Sequence, residues 1–232
     1  MKPLPEHEDQ TRMRRRVIAG LLAGGLSANP LIRQALAQQT ITQGMQRVQG
    51  EVRVNGVLAE AGTAVRPGDS VTTGRRALAM FVVGQDAFLL RNNSRADLAG
   101  ADLFIDVLRL VSGRLLSVFG KGGDRRIVTP AATIGIRGTG GYAEAENTRT
   151  YFCLCYGTAD IATTDGAARD SYTTAHHESP RYIYGDGRGN AIVPASVSNH
   201  TDYELIMLEA LVGRRPPDSV MNAPMMSNPY AY

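Results

Sequence analysis

Tryptophan is absent from the 232 residues, and only five phenylalanines and two cysteines are present. A core built on large aromatics is thereby excluded, leaving the small aliphatics to fill it. Two cysteines are too few for a disulfide-stapled scaffold. Excess charge of one sign is also missing from most of the chain. The formal +3 comes from 25 Lys plus Arg against 22 Asp plus Glu, but six of those basic and three of those acidic residues lie within residues 1–37. Nineteen of each sign remain, so the basic footprint expected of a nucleic-acid partner is lacking. Long apolar runs are scarce too. The stretch from Val17 to Leu26, broken by Gly20, Gly24 and Gly25, is about half of the ~20 residues that span a bilayer. No stable membrane anchor is expected.

What residues 1–37 do contain is an export pattern. Arg12, Arg14, Arg15 and Arg16 precede the apolar run, and Ala35-Leu36-Ala37 supplies the small-x-small site that places cleavage between Ala37 and Gln38. The Arg14-Arg15 pair, followed by Val17-Ile18 and a weakly hydrophobic core, is similar to a twin-arginine signal, with Met13 and Val17 departing from the usual residues. General secretion is the alternative route; either leads to the periplasm.

From Thr40 onward, short apolar runs alternate with turn residues. Asn55-Gly56 is a hairpin signal after Val48, Val52 and Val54, and Pro67-Gly68-Asp69 marks a turn before Val71. Further runs of strand length cover Leu78–Val83, Ala87–Leu90, Leu108–Val111, Leu115–Phe119, Thr133–Ile136 and Tyr151–Tyr156. This spacing predicts an all-β sandwich or roll of many short strands. Near the end, Thr201-Asp202-Tyr203-Glu204 reads as a capping box. Leu205, Leu208, Leu211 and Val212 then share a helical face and Gly213 suits the position after the last turn. One short amphipathic helix over about 202–212 is expected, inside an extension spanning 166–220, with 221–232 as a loose tail.

Several of these residues carry a resemblance. Gly50 to Gly56, then Gly68-Asp69-x-Val71-x-Thr73-Gly74, and above all Thr129-Pro130-Ala131-Ala132-Thr133-Ile134-Gly135-Ile136-Arg137-Gly138-Thr139 resemble the FecR domain, with Gly113 and Leu115 where that family has a glycine before a strand. The likeness covers about residues 44–162, within a domain taken as 38–165. It implies an exported β-domain that binds an envelope protein or small ligand in sensing or signalling, without catalytic residues to carry over. The family's cytoplasmic anti-sigma segment and membrane span have no counterpart here. Thr129-Pro130 suits a strand entrance, Gly135 and Gly138 permit tight turns, and Arg137 is expected to bond loop carbonyls or, less readily, an anion. Arg125-Arg126 reads as a solvated pair.

The residues with chemistry are few. Cys153 and Cys155 are two apart, so a strand projects both thiols to one face, with Tyr151. His176, His177 and His200 are the only histidines after residue 37. Two thiolates with imidazoles would make a zinc or copper site. On a strand His176 and His177 would point to opposite faces, so one of them ligates. The alternatives are a buried thiol pair, a strained redox disulfide, or a thiol hydrolase with Cys153 or Cys155 as nucleophile, His177 as base and Asp202 or Asn199 as orienter.

Overall fold

A computed structural model describes residues 41–224 of the chain. Residues 1–37, read above as a signal segment ending at Ala37, together with Gln38 and residues 225–232, lie outside them. Fourteen strands form one mixed sheet: β1 (Gly44–Gln49), β2 (Val52–Val54), β3 (Val57–Leu58), β4 (Ser70–Thr73), β5 (Leu78–Val83), β6 (Asp86–Leu90) and β7 (Arg95–Ala101) make its first half. The second half is β8 (Phe104–Val118), β9 (Arg125–Val128), β10 (Ala132–Ala145), β11 (Arg149–Thr163), β12 (Arg169–Thr174), β13 (Arg181–Tyr184) and β14 (Ile192–Pro194). Among the described residues only the β8–β9 pair is parallel. The all-β expectation holds, but β8, β10 and β11 run 15, 14 and 15 residues. β8 joins the runs Leu108–Val111 and Leu115–Phe119, read as separate strands, while β10 and β11 extend well past the runs Thr133–Ile136 and Tyr151–Tyr156.

Asn55 and Gly56 both take positive φ, 52° and 81°, as a two-residue hairpin between β2 and β3 requires. Gly113 does not precede a strand. It sits inside β8 at φ 88°, where an added Cβ would lie 2.0 Å from Ser94 Oγ and 2.6 Å from Ser94 Cα. Gly113→Ala is therefore expected to cost about 2–4 kcal/mol in urea unfolding, combining backbone strain with overpacking. Gly122→Ala, at φ 85° with nothing within 4 Å, isolates the backbone part and is expected to cost about 1 kcal/mol.

The FecR-like motif also departs from expectation. No turn forms at Gly135; β10 continues through it and pairs first with β9, then with β8. Between those partners the register slips, and Gly138 supplies φ 57° there. Arg137 bonds no loop carbonyl. Its exposed guanidinium pairs across the strands with Asp160 at 2.5 Å. Thr129 is buried, and its Oγ1 accepts from the Ala132 amide and meets Thr150 Oγ1, which closes the entrance to β10 ahead of Pro130. Arg125 is a further correction: it is 5% exposed, paired with the fully buried Asp86 and stacked on Phe104, while Arg126 alone faces solvent. Burial raises the Asp86 carboxyl above its ordinary value, although the Gly120 amide and Arg125 both oppose that shift.

Alternation distributes side chains between two cores. In β5, Ala79, Phe81 and Val83 enter the larger one, and Met80 and Val82 the smaller. In β11, Phe152 and Leu154 face the first, while Tyr151, Cys153 and Cys155 face the second. Strands buried on both faces carry continuous apolar runs, which is why β5 reads LAMFVV.

The smaller core is roofed by α1 (Asp202–Leu211) and α2 (Asp218–Met221). The α1 capping box is complete, with Thr201 Oγ1 accepting from the Glu204 amide and Glu204 Oε2 accepting from the Thr201 amide. Gly213 has the positive φ, 67°, that stops the helix. Ten residues are marginal as an isolated helix. Leu205, Leu208 and Val212, buried in the smaller core, stabilise the docked form by roughly 1.5–3 kcal/mol each. Val220 is buried there as well, at the end of the extension read as 166–220. Arg91 anchors the helix start through Glu204 Oε1 at 2.7 Å and the Asn199 carbonyl at 3.0 Å. Among the described residues no helix is long and apolar enough to cross a membrane.

Candidate metal centre

Beneath the start of α1, four soft donors converge. Cys153 and Cys155 project from β11 into the smaller core, and both thiols are free and buried. The bend after β12 brings in His177, whose φ of 51° turns its ring inward. His200, just before the α1 N-cap, stacks on Tyr142 with ring centroids 4.6 Å apart. One ligand atom from each of the four lies within 4.8 Å of all the others. Cys153 Sγ is 3.3 Å from His177 Nδ1, and His200 Nε2 is 3.0 Å from that same nitrogen. A tetrahedral ion with bonds of ~2.3 Å to sulfur and ~2.0 Å to nitrogen needs ligand separations of about 3.3–3.8 Å. Small side-chain adjustments reach that geometry.

The outer bonds of both imidazoles set their lone pairs inward. A carbonyl only accepts, so the contact between His200 Nδ1 and the Ser198 oxygen, 2.7 Å, puts the proton on Nδ1 and leaves Nε2 bare. On the far side of His177, Nε2 donates to Asp202 Oδ1 at 3.0 Å. A carboxylate or carbonyl behind each histidine is the support that metal-binding imidazoles characteristically have.

Electrostatics favours a cation at the focus of these groups. Burial works against ionisation of Cys153, yet hydrogen bonds from Cys155 and His177 hold its thiol well below the ordinary range. His177 is displaced upward: burial favours the neutral ring, but the bond to Cys153 and the charges of Cys153 and Asp202 prevail. Cys155 moves up through burial and then through the neighbouring thiolate. Without a metal, one proton on His177 Nδ1 therefore faces the Cys153 sulfur and the His200 lone pair. It occupies the place of a small cation.

Of the five residues read from sequence as ligands, Cys153, Cys155, His177 and His200 come together. His176 does not join them; its Nε2 turns to Asp202 Oδ1 at 3.0 Å. The adjacent histidines lie in a bend and not on a strand, so strand alternation does not govern them. Asp202 was read from sequence as a helix-cap residue and as one of two hydrolase orienters, but not as a ligand; nothing local signals that its carboxylate turns inward. Cys153, His177 and Asp202 also stand in nucleophile, base and orienter order, whereas Asn199 bonds Glu144 instead.

No protein-family model and no curated protein matches the chain. Two crystal structures described as a "putative anti-sigma factor" from Parabacteroides distasonis are similar at a TM-score of 0.45, with 7% and 8% identity. Each likeness covers 55% of this chain and 59% of the other.

Proposed function

We propose that this chain is an exported, non-catalytic β-domain, FecR-like in its central motif, whose working feature is a closed Cys2His2 metal centre. The observation that carries the reading is the convergence of Cys153, Cys155, His177 and His200 within 4.8 Å, all buried, with both imidazoles braced from behind. Four protein ligands leave no open position, which suits holding an ion and not activating a water. Two thiolates with two imidazoles select zinc or copper(I). The ligands come from two parts of the chain, so an ion would bind the C-terminal segment to the sheet and make the docked α1 conditional on metal. A domain of that kind reports metal status to an envelope protein or a small-ligand pathway. The basic cluster, apolar run and Ala37/Gln38 site support periplasmic delivery, and a twin-arginine route would allow loading before translocation.

Elemental analysis of the full chain purified from the periplasm tests this. At least one equivalent of zinc or copper per chain is expected, with Gln38 as the first residue. Less than about a tenth of an equivalent after incubation with either ion overturns the metal reading.

The alignment of Cys153, His177 and Asp202 favours one second reading, a thiol hydrolase. Against it, Cys153 is fully buried and His177 is 3% exposed, so a substrate carbonyl reaches the sulfur only if α1 moves away. Rapid carboxymethylation of Cys153 by iodoacetamide in the folded, metal-free protein would favour the hydrolase; protection favours the closed centre.

A further inference from the structure

His177 faces two ways. Its Nδ1 points into the closed centre, and its Nε2 points to Asp202 Oδ1, which also lies 3.0 Å from His176 Nε2. The rings of His176 and His177 stand nearly perpendicular, at 78°, with centroids 4.7 Å apart. One ligand atom from each of His176, His177 and Asp202 lies within 4.8 Å of the other two.

We propose that His176, His177 and Asp202 bind a second divalent cation, with His177 bridging the two ions through its two ring nitrogens. This rests on the closed centre being a metal site. The two N–O separations of 3.0 Å fall a few tenths of an ångström inside the ~3.3–3.6 Å that ~2.0–2.2 Å bonds produce in a tetrahedral site, so a small outward shift of the side chains admits an ion. The outer locus differs from the inner one in kind. Its His176 side chain is 17% exposed, against 1% for His177 and none for Asp202. Three protein ligands with one side toward solvent leave a position for water or an exogenous ligand, the arrangement of an open site. Two nitrogens and a carboxylate oxygen, with no sulfur, suit zinc or copper(II) and not copper(I).

Proton and charge balance are simple. When the second ion binds, the N–H bonds on His177 Nε2 and His176 Nε2, both of which face Asp202, break and two nitrogen–metal bonds form; the His177 proton leaves to water, and His176 stays neutral by taking up its proton on Nδ1 instead. The His177 ring is then an imidazolate. Two divalent ions carry four positive charges, and two thiolates, one carboxylate and one imidazolate carry four negative. With a single ion, the same proton stays on Nε2 and Asp202 serves only to orient the ring.

The test is zinc stoichiometry of the full chain after gel filtration, with cobalt(II) substitution as a second readout. Two zinc per chain are expected for the natural protein and one for His176→Ala. In that variant the thiolate-to-cobalt absorption of the inner site should be unchanged, which also shows that the variant is folded. One zinc in both proteins overturns the outer site and leaves the closed centre standing. Two in both also overturns it, since the second ion then lies elsewhere. None in either removes both readings.

Discussion

Stripping the metal with a strong chelator is expected to lower the melting temperature by roughly 8–16 °C and to loosen α1 from the sheet. An ion present at 1,000 times its dissociation constant contributes about 4 kcal/mol, and a domain of this size shifts by about 2–4 °C per kcal/mol. The loss should be local at first. The ligands tie β11 to the bend bearing His177 and to the segment before α1, so hydrogen exchange should rise at residues 200–212 and remain low in β5 and β10. Cys153→Ser should reproduce the effect and be insensitive to added zinc, because the substitution removes one ligand and the thiolate that holds the proton on His177. Differential scanning calorimetry with and without chelator checks the magnitude. Identical melting temperatures within about 1 °C for loaded and stripped protein would mean that no ion contributes to the fold.

Metal affinity should also climb steeply with pH. In the metal-free centre His177 carries an extra proton, held above its ordinary range, and Cys155 is a thiol displaced upward, while Cys153 is already a thiolate. Filling the inner site therefore releases two protons wherever pH lies below both raised values. Each released proton contributes a factor of ten per pH unit, so apparent affinity should rise roughly 100-fold per pH unit in that range. The sign follows from the displaced groups: acid favours the protonated centre and expels the ion. Competition titrations against a chromophoric chelator measure the slope. A flat profile would show that the thiols and His177 are not the ligands.

The stop and start of α1 were legible because caps are local: Thr201, Glu204 and Gly213 act within a few residues of themselves. The same holds for Asn55-Gly56. Arg125 was misread because its burial depends on Asp86, 39 residues away, and on Phe104 across the parallel β8–β9 pair. The thiol pair was legible from strand alternation alone. Which histidine joins it was not, since His177 enters through a left-handed backbone conformation that no residue pattern announces.

Strand β11 is buried on both faces, with Phe152 and Leu154 on one side and the two cysteines on the other. A one-residue slip in pairing exchanges those faces throughout. Slipped, β11 would present phenyl and isobutyl groups to the histidines and hide its sulfurs in the larger core. Hydrophobic burial barely distinguishes the two registers, because both faces are apolar. Coordination does distinguish them. An ion held by those four ligands would thus act as a proofreader of strand alignment, accepting only chains whose longest strands have paired in the native frame.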